Sequence, residues 1–312
     1  PPMNLKFIIE GEEEISSINL AQFVKDNRQM LKANASLCFD SSLNPAAAAS
    51  IYAGLKGLLY IELRCKTASI DVHSGLAPII PNPAWRLVSA LDSLKRDGKI
   101  IIDGWYDNIK AQTDEELALV DTLEYDEKKI KEEYGVKELQ DKTVGKEALK
   151  KLLFEPTCNI SGIQSGYTST GSKTVLPNEA FVKLDFRLVY DQSTTDLIKK
   201  LRIHLAKRGF TDMTIYKLGT VEPSKTDINA QIVQATSMAA DQVYKKKSAP
   251  FPNMWGSGPD FVFTKILKLE SVWTGCSPAY ANIHAPNEFT TIKNVLDGVC
   301  YASMIIQEYS HM

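Results

Sequence analysis

The chain has 312 residues, enough to bury a sizeable core and, by length alone, about two domains. Its 36 lysines and arginines against 38 aspartates and glutamates give a formal net charge of -2, which excludes the basic footprint of a nucleic-acid binder and the polybasic signal of a membrane-surface protein. Five scattered cysteines without a CxxC pair argue against a disulfide framework and a thiolate zinc site, and no apolar run reaches the length of a membrane span. The expectation is a cytoplasmic protein with a small polar partner, no nucleic acid and no membrane. The chain starts Pro1-Pro2 with an apolar strand already under way, so it is expected to be the middle of a longer polypeptide.

Leu5, Phe7, Ile8 and Ile9 predict a buried strand, and Ile18, Leu20, Phe23 and Val24 follow with helical spacing. The acids between them, Glu10 and Glu12 to Glu14, therefore fall in a strand-to-helix turn. Free N–H groups and the positive end of the helix dipole hold a carboxylate ionised there. Such a position suits a metal ligand beside a general base, and it equally suits a solvated first turn that compensates the dipole. Residues 35–40 predict a second short strand ending on Asp40, at the carboxyl end of a sheet, where ligands of open α/β sheets bind. An acid there also suits a cap or turn of the 41–45 loop.

Strands are expected at 58–65 and 99–102, a turn carrying His73 at 70–75, and a helix at 83–96 with Trp85, Leu87, Val88, Leu91 and Leu94 on one face. Residues 113–145 are charge-rich and helical in pattern, and read as solvated surface helices. A strand at 157–163 leads through a Gly/Ser/Thr-rich loop to 171–177, which contains Thr174. From 180 to 190 the alternation is strict: Ala180, Val182, Leu184, Phe186 and Leu188 fall on one face, and Lys183, Asp185 and Arg187 on the other. A helix at 194–208 and a strand at 213–217 complete a run that predicts helices layered on one antiparallel sheet, inserted into the first α/β unit. The tail returns to a helix at 230–244, a Gly-rich turn at 255–260 holding Ser257, a strand at 271–274, a loop with His284, and a last helix at 291–309. His204 and His311 are expected at the surface.

Glu14, Asp40 and His284 are of the types zinc takes in hydrolytic sites, each at the end of an element of the same unit. A lone loop histidine is as readily a hydrogen-bonded loop residue. The ordered motifs EGEEE (10–14), FD (39–40), DVHSG (71–75), GSKTVLP (171–177) with RLVY (187–190), GSGP (256–259) and HAPNE (284–288) resemble those of the di-zinc metallopeptidase family that includes carnosinase, cytosolic non-specific dipeptidase, glutamate carboxypeptidase and succinyl-diaminopimelate desuccinylase. The resemblance covers nearly the whole chain. It implies a zinc-peptidase-like catalytic α/β domain over 1–57 and 219–312, its N-terminal part absent, and an inserted α+β sandwich dimerisation or lid domain over 58–218.

The same resemblance implies metal-dependent hydrolysis of dipeptides or of a C-terminal residue, with N-acyl amino acid deacylation, or a non-catalytic dimerising relative, as alternatives. It implies Glu13 as general base. Glu14, Asp40 and His284 would be ligands of two zinc ions, or of manganese or cobalt in their place. His73, helping to stabilise the oxyanion, and Thr174 would reach a substrate bound by the partner of a homodimer. Arg187 and Ser257 would grip the substrate carboxylate. Taken as residues alone, Thr174 and Ser257 also suit turns, and Arg187 a cross-strand ion pair. The family's first zinc histidine lies in a His-x-Asp motif upstream of the EGEEE turn, with a bridging aspartate between. None of His73, His204, His284 and His311 is followed two residues later by Asp. The chain as given is expected to lack two of five metal ligands and to be inactive by itself.

Overall fold

The computed structural model describes residues 2–312. Numbered along the chain, the helices are α1 (Leu20–Asp26), α2 (Pro83–Leu94), α3 (Asp114–Thr122), α4 (Glu127–Tyr134), α5 (Gly145–Phe154), α6 (Thr194–Lys207), α7 (Gln231–Tyr244) and α8 (Ile292–Ser310). The strands are β1 (Ala35–Phe39), β2 (Gly54–Leu55), β3 (Gly57–Lys66), β4 (Val72–His73), β5 (Lys95–Arg96), β6 (Lys99–Ile100), β7 (Asn159–Ser165), β8 (Val175–Leu176), β9 (Glu179–Leu188), β10 (Met213–Val221), β11 (Ser224–Lys225) and β12 (Glu270–Thr274). They divide into two compact units, one built from the chain up to Lys56 with Ala111–Glu155 and Pro223–Met312, the other from Gly57–Lys110 with Pro156–Glu222.

This division differs from the single insertion expected over 58–218. Residues 111–155 belong to the first unit because Val120, Leu123, Leu149 and Leu153 bury one another against Ala249 and Phe251. The buried Glu116 carboxylate also pairs with Lys225 at 2.5 Å. The 113–145 stretch, expected to be solvated surface helices, thus has an apolar seam of Val120 and Leu123 beneath its charges. Its first helix starts with a capping box in which Thr113 and Glu116 satisfy each other's backbone N–H groups.

The second unit is a four-stranded antiparallel sheet in the order β10-β3-β9-β7. Strict alternation turns Leu59, Ile61 and Leu63 of β3 and Val182, Leu184, Phe186 and Leu188 of β9 to one face, where α2 and α6 cover them. Each such side chain contributes about 1.5–3 kcal/mol through burial. Asn82 caps α2 by accepting from Ala84 N at 2.8 Å, Pro83 fits its first turn, and Pro83, Leu87, Ala90 and Leu94 form its buried stripe. On α6 the buried stripe is Leu197, Leu201, His204 and Leu205. His204, expected at the surface, is therefore fully buried: its position on the apolar row outweighs its polarity. Its Nδ1 accepts from Asp103 N at 3.3 Å, and its Nε2 lies 2.8 Å from Ser93 O. That pairing fits the neutral ring, with Nε2–H donating to the carbonyl.

In the first unit β1 and β12 run parallel, Ala35 beside Glu270 through Phe39 beside Thr274. α7 and α8 pack together and, with this pair, enclose Val233, Ala239, Val272, Tyr301 and Ile305. Inside that core Thr274 Oγ1 donates to Ser50 O at 2.8 Å and lies 3.1 Å from Tyr301 Oη. The buried strand expected at residues 5–9 is not one. The segment is neither helix nor strand, Phe7 is 81% and Ile9 94% exposed, and among the described residues no strand pairs with it. An apolar run becomes a strand only where a neighbour takes its backbone N–H and C=O groups. Among the described residues, no helix is long and apolar enough to cross a membrane.

Candidate metal and acid–base centre

The acidic turn after Ile9 folds by spending two of its carboxylates on itself. Glu10 accepts from Ser17 Oγ at 2.5 Å, and Glu12 accepts from Asn19 N at 3.1 Å and Asn19 Nδ2 at 2.7 Å, tying the turn to the start of α1. A short 3₁₀ turn over Glu13–Ile15 closes with Ser16 in the left-handed region at φ 75°. Glu13 and Glu14 are the two acids left over.

Glu14 Oε1 lies 3.2 Å from His284 Nε2, both side chains being largely exposed. His284 reaches it from the loop before α8, where Asn282, His284 and Asn287 all take positive φ, 57°, 61° and 62°. The loop is closed by Ala285 N donating to Asn282 O at 2.8 Å and Phe289 N to Ala281 O at 3.0 Å. A left-handed histidine costs about 1–3 kcal/mol, and backbone strain of this kind gathers at functional positions.

Burial raises the Glu13 carboxyl above its ordinary value, and the like charges of Glu14, Asp40 and Glu10 add to this, opposed by His284. Four of the sequence-predicted residues therefore feel one another. Asp40 stands where β1 ends, its carbonyl accepting from the Trp273 indole of β12. Ser257, half-buried, sits on the 255–260 loop, which is drawn close to β12 at Gly258: a Cβ there would come within 2.7 Å of the Trp273 ring. Asp260, at the end of that loop, was not singled out in the sequence, and its following the Gly-Pro turn is a weak signal. It is 2% exposed and accepts from Ser271 Oγ at 2.5 Å. Burial raises its carboxyl, with the Ser224 and Ser271 hydroxyls opposing, and Asp260 in turn helps burial to push the neighbouring Cys38 thiol well up.

The remaining three candidates lie in the second unit. His73 and Val175 are paired across the short β4–β8 ladder, which puts Thr174 at its end, and His73 Nδ1 accepts from Gly75 N at 3.0 Å. Arg187 is on the sheet face opposite the core. Its backbone N donates to Thr157 Oγ1 at 3.1 Å, and its carbonyl accepts from Thr157 N at 3.0 Å.

Carboxylate and imidazole are donors that zinc accepts, and Glu14 with His284 supplies one adjacent pair. Among the described residues, however, no group of three or more His, Cys, Asp or Glu side chains is arranged to hold a metal ion. The donor types fit and the number assembled falls short of a closed site.

A two-unit α/β chain whose second unit layers helices on a four-stranded antiparallel sheet, with paired acids and a histidine in the first, is the class of protein the geometry defines. The chain belongs to the M20 peptidase family: the profile of its peptidase dimerisation domain matches residues 53–213. The solved structure of an M20 family metallo-carboxypeptidase from Sulfolobus solfataricus is 36% identical, with a TM-score of 0.92 over 97% of this chain and 70% of that one. The beta-Ala-His dipeptidase of Rattus norvegicus is 26% identical over 276 residues, covering 86% of this chain and 55% of the relative. The Cys-Gly metallodipeptidase DUG1 of Saccharomyces cerevisiae is 24% identical over 326 residues, covering 99% and 66%. The chain thus spans 55% of the length of the rat dipeptidase it matches.

Proposed function

We propose that this chain carries the general base and part of the metal-binding side of a metallopeptidase that cleaves dipeptides or removes a C-terminal residue, acting in the cytoplasm as a homodimer through its second unit. The observation that carries the reading is the 3.2 Å approach of Glu14 to His284, from opposite ends of the sequence, beside a glutamate whose carboxyl is raised. Glu14 and His284, with Asp40, would hold zinc, which supplies Lewis acidity to a water and to the scissile carbonyl. Glu13 takes the proton from the attacking water on a carboxylate oxygen. Because its carboxyl binds that proton more firmly than an ordinary glutamate does, it can then deliver it to the departing amine nitrogen. Arg187 and Ser257 contact the substrate carboxylate, Thr174 contacts the substrate, and His73 stabilises the oxyanion, roles that the family resemblance supports.

Zinc titration of the chain by calorimetry tests the metal side. Glu14→Ala and His284→Ala should each weaken binding by about tenfold or more, and unchanged affinity in both would remove the reading. A panel of dipeptides, C-terminally extended peptides and N-acyl amino acids then separates peptidase from deacylase.

A further inference from the structure

The loop that carries Ser257 is fastened at three points. Trp255 stands edge-on to Tyr52 and Phe251, their ring centroids 6.0 and 6.3 Å away. Gly258 lies so close to the Trp273 ring and to Leu55 that a Cβ would come within 2.7 and 3.0 Å of them. The third point is Asp260, which the proposed reaction leaves without a task.

Asp260 is 2% exposed and joins the loop to two strands. Its carboxylate takes the Ser271 hydroxyl from β12 and the Ser224 hydroxyl from β11. Ser224 Oγ accepts from Leu55 N of β2 at 3.2 Å, which leaves its own proton for Asp260, and Ser271 N donates to Thr226 Oγ1 at 2.8 Å. The Asp260 carbonyl accepts from Phe263 N at 3.0 Å and Thr264 N at 3.2 Å, at the start of the six-residue π-helix Val262–Leu267. Helices of this kind are rare and gather at functional sites. Burying a carboxylate against hydroxyls instead of a cation lowers stability relative to an apolar side chain of the same size. Stability alone therefore does not account for an acid at this position.

We propose that Asp260 is a positioning residue for substrate binding: by holding the hydroxyls of β11 and β12 it fixes the backbone of 256–259, and with it the place where Ser257 meets the substrate carboxylate. Being buried, it acts only through the loop. The inference rests on the reading of Ser257 given above and adds the residue that sets that contact.

Calorimetric titration of the full chain with L-leucine tests this, because the amino acid presents the carboxylate end of a substrate and has no peptide bond to cleave. Ser257→Ala should weaken binding. Asp260→Leu keeps the approximate size and removes both hydroxyl links, and should weaken binding by about tenfold. In a Ser257→Ala background the same change should add less than about twofold, since Asp260 acts through Ser257. Asp260→Asn retains an acceptor for one hydroxyl and a donor for the other, and should stay within about threefold of wild type. A wild type that does not bind leucine, or binding that Ser257→Ala leaves unchanged, overturns the reading of Ser257 and this inference with it. Three results overturn the positioning role alone: no loss from Asp260→Leu where Ser257→Ala weakens binding, an equal loss from Asp260→Leu in both backgrounds, or an Asp260→Asn variant as weak as Asp260→Leu. If Asp260→Leu does not fold, Ser271→Ala decides in the same cycle: removing one of the two hydroxyls should weaken binding by about threefold, and only where Ser257 is present.

Discussion

β9 and the segment at residues 5–9 are both rich in apolar residues, and only one is a strand. β9 lies between β3 and β7, so every second side chain is driven into a core under α2 and α6. Among the described residues no strand pairs with residues 5–9, and although Ile8 packs against Leu20, Val24, Leu31 and Val262, Phe7 and Ile9 stand in solvent. Hydrophobicity nominates a strand, and backbone pairing decides whether it exists.

The contrast is broken or sharpened first by deleting a core side chain of the second unit. Phe186, fully buried with its ring centroid 4.9 Å from that of Trp105, should cost about 3–5 kcal/mol when changed to alanine, measured by denaturant unfolding. A loss below about 1 kcal/mol would mean that the sheet does not hold this unit together.

His204→Leu comes next, at about 1–3 kcal/mol at neutral pH, because Asp103 N–H and Ser93 O lose their buried partner. Burial lowers the pKa of this ring below 6.5, so between the two values the unfolded chain binds more protons than the folded one. Wild-type stability should therefore be full above pH 6.5 and fall as pH drops toward the depressed value, a slope the leucine variant should lack.

Glu13 has the opposite sign. Its carboxyl is raised, so the folded chain holds the proton more tightly and stability falls as pH climbs from 4.5 through the higher folded value. Glu13→Gln should melt slightly above wild type near pH 7 and together with it near pH 3, as followed by circular dichroism across that range. The smallest effect is expected from Ile9→Ser, within about 0.5 kcal/mol of zero in this chain. A large loss there would show that residues 5–9 are buried in solution.

The second unit was legible because its signals are local. Alternation over 180–188 and the cap at Asn82 each fix an element without reference to distant residues. The turn with Glu13 and Glu14 was legible through spacing, and the meeting of Glu14 with His284 only through family likeness, since nothing in either segment specifies the other. His204 was misread as a surface residue although Leu197, Leu201 and Leu205 mark its stripe: residue type was weighed above helical period. Residues 113–145 were read as solvated surface because charge density hid Val120 and Leu123, which pack with Leu149 and Leu153 beyond them. Asp260 escaped because a buried acid has no pattern in sequence; only the hydroxyls folded around it reveal it.

The parallel pairing of Ala35 with Glu270 sets an order of events during synthesis. All four strands of the larger sheet lie between Gly57 and Val221 and leave the ribosome before β12 does. At about 5–20 residues per second, β1 emerges some ten seconds or more ahead of its partner. For that interval the nascent chain carries a finished domain on a half-made one, and the Glu14–His284 encounter has to wait until well after that domain's last strand has emerged.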